Sequence, residues 1–163
     1  TPKTSSAASD VYKRQENKVI KEVRSLDSDV DFIFQKFDWP TKGMITGVFG
    51  SQRILNGKPK RPHYGVDIAA PEGTDILAPT EAIVRMAEKD LYYTGGTVML
   101  DHGHGVTSVY SHLSYINVKV GDKINKDHKI GEVGSTGRST GPHLDWRINW
   151  FSERLDPALF IKK

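Results

Sequence analysis

Beyond Pro40 the chain becomes a series of short β-prone runs, broken at close intervals by Gly and Pro. The candidate strands are 45–49, 66–69, 82–87, 97–101, 106–112, 129–133 and 144–149. Turn signals separate them at Gly57, Pro71-Glu72-Gly73, Gly95-Gly96, Gly103-His104-Gly105, Gly121-Asp122 and 134–141. Many short strands with such punctuation imply an all-β fold, an antiparallel sandwich or open barrel. Asp156-Pro157 reads as an N-cap with a first-turn proline, opening a short C-terminal helix.

Before Pro40 the period is different. Val19, Ile20, Val23, Leu26, Val30, Ile33, Phe34 and Phe37 recur every three or four residues, which predicts an amphipathic helix over 16–37. Asp38-Trp39-Pro40 stops it, because the residue before proline avoids the helical region. Residues 1–15 are small, polar and aperiodic, and read as a disordered tail. The run from Ser5 to Gln15 also resembles translated adapter sequence, so the tail is set aside from function. The domain division is therefore a tail over 1–15, a linker helix over 16–38 and one β domain over 39–163. The chain begins at Thr1 rather than Met, so an upstream part is expected, with a signal peptide, a coiled coil or a membrane anchor as its candidates.

Charge separates partner classes. Residues 1–24 carry six Lys or Arg and three Asp or Glu, whereas residues 25–163 carry 17 of each sign. A neutral body is poor support for nucleic-acid binding, which needs a basic face. With no cysteine, thiolate ligands and Cys nucleophiles are excluded.

Three short groups carry chemistry: Arg61-Pro62-His63-Tyr64-Gly65-Val66-Asp67, Tyr110-Ser111-His112-Leu113 and Gly141-Pro142-His143-Leu144-Asp145. Positions four apart on a strand share a face, so a loop delivering His63 to a strand that carries Asp67 can place both on one metal. His143 and Asp145, two apart on a strand, face one side together. Three donors with an open position, plus two further imidazoles, form the inventory of a metal-assisted hydrolase. The bland alternatives are a turn Asp that never meets His63, and a strand Asp145 paired with Arg147 or a nearby Lys. His102-Gly103-His104 sits in a Gly-flanked turn and reads as structural, and His128 as solvated. Trp39, Trp146 and Trp150 read as core or groove wall. Tyr64 and Tyr110 read as either packing or substrate contacts.

From 45 to 157 the chain resembles zinc metallopeptidases of the M23 type, the lysostaphin-like or LytM domains. The motifs are His63–Asp67 with its continuation Ile68-Ala69-Ala70-Pro71-Glu72-Gly73-Thr74, then Ala78-Pro79, then Asp101-His102-Gly103-His104-Gly105. They continue through Tyr110-Ser111-His112-Leu113, Val118-Lys119-Val120-Gly121-Asp122, and Gly131-Glu132-Val133-Gly134-Ser135-Thr136-Gly137 to Gly141-Pro142-His143-Leu144. The resemblance implies the LytM-type sandwich (duplicated hybrid motif) and a zinc endopeptidase cutting peptide cross-links between peptidoglycan stem peptides. It needs no small-molecule cofactor and implies a periplasmic or cell-envelope location. It assigns His63 and Asp67 as metal ligands and His112 and His143 as catalytic histidines. Residue 145 is where the family places a third ligand, usually histidine. Aspartate there departs from the pattern, and it opens a second reading: an inactive domain that binds cell wall or activates a separate amidase. A swinging-arm carrier is a third reading, since Val118–Asp122 through Gly131-Glu132-Val133 resembles a lipoyl hammerhead, but no suitable hairpin Lys is evident.

Overall fold

The computed structural model describes residues 6–52 and 54–161. The chain opens on α1 (Ser6–Arg24), passes through a 3-10 turn (Phe32–Phe34) and enters its strands. These are β1 (Met44–Gly47), β2 (Ile54–Leu55), β3 (Lys58–Pro59), β4 (Val66–Ala69), β5 (Asp75–Leu77), β6 (Ala82–Leu91) and β7 (Gly95–Gly103). There follow β8 (Val106–Leu113), β9 (Tyr115–Ile116), β10 (Lys123–Ile124), β11 (Lys129–Glu132), β12 (His143–Trp150) and β13 (Glu153–Leu155). A second 3-10 turn (Pro157–Phe160) follows, its first turn capped by Asp156, which accepts from the Ala158 amide at 3.0 Å.

The main sheet runs β1-β4-β12-β8-β7-β6-β10, with β13 also on β12. Every neighbour pair in it is antiparallel. A smaller antiparallel sheet, β5-β11-β9, covers the core. The fold is thus all-β and antiparallel, with one N-terminal helix.

Strand alternation builds the core and the site together. On β12, Leu144, Trp146 and Ile148 are fully buried in the main apolar cluster with Val66 and Ile68 of β4 and Tyr110 of β8. Burying a side chain of this size contributes about 1.5–3 kcal/mol. The intervening residues, His143, Asp145 and Arg147, therefore leave the opposite face, as does Asp67 between Val66 and Ile68.

The N-terminal segment departs from the periodic expectation at both ends. Ser6 to Gln15, read as a disordered tail, lies inside α1, and residues 1–5 lie outside the described residues. The segment is held from the hairpin side, where the Tyr92 amide donates to both carboxylate oxygens of Glu16 at 2.9 Å. Val23 also packs on Met86 and Met99. The helix ends at Arg24 rather than Phe37 because Ser25-Leu26-Asp27-Ser28-Asp29 competes with it. Ser25 turns its hydroxyl onto the Glu22 carbonyl at 2.7 Å. Phe32 and Phe37 still reach the interior, but from a 3-10 turn and extended chain.

Candidate metal centre

β12 lies between β4 and β8, so the three motif groups become cross-strand neighbours. Asp145 is opposite Asp67 on one side and opposite Ser111 on the other. His63 precedes β4 in a loop pinned by its backbone. Its amide donates to the Ser51 carbonyl at 2.9 Å, and its carbonyl accepts from the Gly50 amide at 2.7 Å. That brings His63 Nε2 to 3.1 Å from Asp67 Oδ1. His63, Asp67 and Asp145 each offer a donor atom, and these atoms lie within 4.8 Å of one another.

His112 reaches this face through a bulge. Between Tyr110↔Val98 and Leu113↔Gly96, β8 holds one more residue than β7. His112 takes φ +67°, which re-aims its ring into the cleft. His143 and His112 then stand with ring centroids 4.9 Å apart. His112 Nδ1 lies 2.7 Å from the Thr136 carbonyl, and His143 Nδ1 lies 2.9 Å from the Gly141 carbonyl. A carbonyl can only accept, so Nδ1 carries the hydrogen in both rings and each Nε2 keeps its lone pair. Burial pushes the His112 pKa down, against the Thr136 hydrogen bond and the Asp145 charge. Burial thus favours the neutral imidazole at His112. His143 Nε2 also lies 3.8 Å from Asp67 Oδ1.

Asp67, Asp145, His112 and His143 line a cleft of about 530 Å³, and His63 stands buried against Asp67. Tyr93, Thr94 and the 138–142 loop also line the cleft. Tyr93 and Arg138, whose guanidinium sits 5.3 Å from the Tyr93 ring, carried no chemical signal in the sequence. Arg147 did carry one, since it shares the two-residue period of His143 and Asp145. It lines the same cleft and donates to Asp145 from Nε and Nη2, each at 3.0 Å. The pairing weighed for Asp145 as its bland alternative is thus present, and it coexists with proximity to His63 and Asp67. Burial works against the Arg147 charge, yet Asp145 and Asp67 hold its pKa above the ordinary value.

The other histidines are structural or solvated. His102 is buried, with Nδ1 donating to the Glu81 carbonyl at 3.0 Å and Nε2 accepting from Ser108 at 2.7 Å. His104 pairs with Asp31 at 2.7 Å, and His128 is exposed. Trp146 and Tyr110 are core, and Trp39 packs on Trp146 at 5.8 Å.

The donor set suits a dication. Two carboxylates and an imidazole are ordinary ligands for zinc, and a carboxylate oxygen that accepts one hydrogen bond keeps a further lone pair. The residues present therefore fit a metal, which would share Asp145 with Arg147.

Comparison with known proteins gives the family. The chain is 38% identical over 117 residues to the peptidoglycan DD-endopeptidase ShyA of Vibrio cholerae, covering 71% of this chain and 27% of that protein. It superposes on a zinc-containing peptidase from Vibrio cholerae with TM-score 0.70 and 28% identity, covering 79% of this chain and 40% of the other. With the catalytic domain of lysostaphin from Staphylococcus simulans the TM-score is 0.62 and the identity 34%, over 72% and 90% of the two chains. The chain spans about a third or less of the curated relatives it matches first. The sequence model of peptidase family M23 matches residues 61–157, more than half of the chain, and the chain belongs to that family.

Proposed function

We propose that this chain is a zinc-dependent endopeptidase that hydrolyses peptide cross-links of bacterial peptidoglycan. The observation that carries the reading is the convergence of buried His63 with Asp67 and Asp145, the two carboxylates lining one cleft together with the His112–His143 pair. Its support from relatives is that ShyA is named a peptidoglycan endopeptidase and lysostaphin an antimicrobial peptidase.

His63, Asp67 and Asp145 would hold the metal, which when bound polarises a carbonyl and makes water nucleophilic. The remaining chemistry belongs to the two histidines. Each presents an Nε2 lone pair to the cleft and is oriented through its Nδ1 hydrogen bond. One accepts the proton of the attacking water and delivers it to the leaving amine nitrogen as the C–N bond breaks. The other stands beside it, and once protonated it can donate to the oxyanion. Such a substrate places the protein in the periplasm or cell envelope. Among the described residues no helix is long and apolar enough to cross a membrane.

The test is incubation of the purified chain with isolated sacculi, with and without a chelator, and mass spectrometry of the released muropeptides. Chelator-sensitive loss of cross-linked dimers is the expected result. Unchanged muropeptides from a protein that still pellets with sacculi would favour the second reading, a wall-binding or amidase-activating domain. The engagement of both Asp145 oxygens by Arg147 is the observation on that side.

A further inference from the structure

Asp145 is 5% exposed, and one guanidinium holds both of its oxygens. Two parallel N–H···O bonds form the strongest pairing available to a carboxylate and an arginine. Room for it comes from Gly65. A Cβ there would stand 2.7 Å from Arg147 Cγ and 2.8 Å from Asp145 Oδ1.

Charge gives the pair its meaning. Two histidines and one aspartate leave a bound dication with a net charge of +1. Replacing one histidine by Asp145 would bring that sum to zero and weaken the pull of the centre on electrons. Arg147, in the same cleft and paired to the added carboxylate, returns the sum to +1. We propose that Arg147 is the built-in counter-cation of this metal centre, so that Asp145 and Arg147 act together as one neutral ligand. The proposal rests on the reading of His63, Asp67 and Asp145 as a metal site. It has a directional consequence. The guanidinium and the metal share the Asp145 oxygens and repel each other, so Arg147 lowers metal affinity while keeping the loaded centre electron-withdrawing.

Zinc affinity of the whole chain, measured by competition with a chromogenic chelator, tests this without any turnover. The proteins are wild type, His63→Ala, Arg147→Met and Arg147→Lys, each checked for folding by circular dichroism. Arg147→Met is expected to bind zinc about tenfold tighter or more, because a unit positive charge beside the dication is gone. Arg147→Lys keeps the charge and loses the fork, and is expected to fall between. Zinc binding by Arg147→Met where wild type binds none supports the proposal equally. Arg147→Met equal to or weaker than wild type, with His63→Ala abolishing binding, overturns the counter-cation and leaves the metal site standing. Zinc binding that ignores His63→Ala, or is absent from every protein, overturns the metal reading and the proposal with it. Should Arg147→Met fail to fold, the neutral Arg147→Gln takes its place under the same outcomes.

Discussion

His112 shows how much of the site depends on one backbone angle. Strict alternation along β8 would send residue 112 towards the core beside Tyr110. The extra residue in β8 and a φ of +67° turn it to the cleft instead. A non-glycine side chain in the left-handed region carries strain, and asparagine tolerates that region best among the rest. His112→Asn is therefore expected to keep the melting temperature within a few degrees while lowering muropeptide release by roughly two to four orders of magnitude. Thermal melts and sacculus digestion on the same preparation check both halves. A variant that keeps full activity would remove His112 from the chemistry. Arg147 gives the complementary lesson about legibility. The two-residue period that places His143 and Asp145 on one face extends to it without further assumption. Only the distance to Asp145 shows whether that side chain reaches into the cleft or lies along the sheet.

At the scale of elements, the strands of four or more residues were legible and the two- and three-residue ones were not. The run 66–69 coincides with β4, and 106–112 with all but the last residue of β8, because Val66, Ile68 and Tyr110 must all face inward. The short strands β2, β3, β5, β9, β10 and β13 escaped, since each is too short to show an apolar period. The helical period through Phe37 misled because Phe32 and Phe37 are buried by an irregular chain that mimics the spacing. The Gly-rich run before β12 was legible as a tight turn, but its partner was not. It stacks on the β6–β7 hairpin, and a Cβ at Gly137 would meet Gly95 N at 2.4 Å and Tyr93 O at 2.7 Å. Gly137 also sits at φ +71°. Gly137→Ala is expected to lower stability by about 2–3 kcal/mol, from strain and from displaced backbone. It should depress activity beyond that loss, because the neighbouring Thr136 carbonyl is what orients His112. Urea unfolding together with turnover at a temperature where the variant is fully folded separates the two effects. Unchanged turnover at full folding would mean that the turn only closes the sheet.

For the molecule as a whole, the clearest pH-dependent contribution comes from a histidine that takes no part in the cleft. His102 is fully buried, its ring against Phe37 at 5.1 Å and both nitrogens hydrogen-bonded to neutral groups. Burial drives its pKa down from 6.5 to about 4, against the Glu81 carbonyl and the Asp101 charge. The unfolded chain takes up this proton near pH 6.5, and the folded chain only near pH 4. Between those values the unfolded state binds more protons, so stability falls as the solution is acidified and levels off below the folded pKa. A proton held one pH unit less readily by the folded chain costs about 1.4 kcal/mol, so the loss at this residue approaches roughly 3 kcal/mol. That is a large part of the about 5–15 kcal/mol that holds a domain of this size together. Urea unfolding of wild type and His102→Gln at pH 7.5 and pH 4.5 isolates the contribution, because glutamine has no proton to gain in this range. His102→Gln is expected to be less stable than wild type at pH 7.5, with the gap closing by about 2–3 kcal/mol at pH 4.5. Parallel stabilities at the two pH values would show that His102 gains its proton in the fold as readily as in the unfolded chain, with the Ser108 hydroxyl accepting from it at pH 4.5.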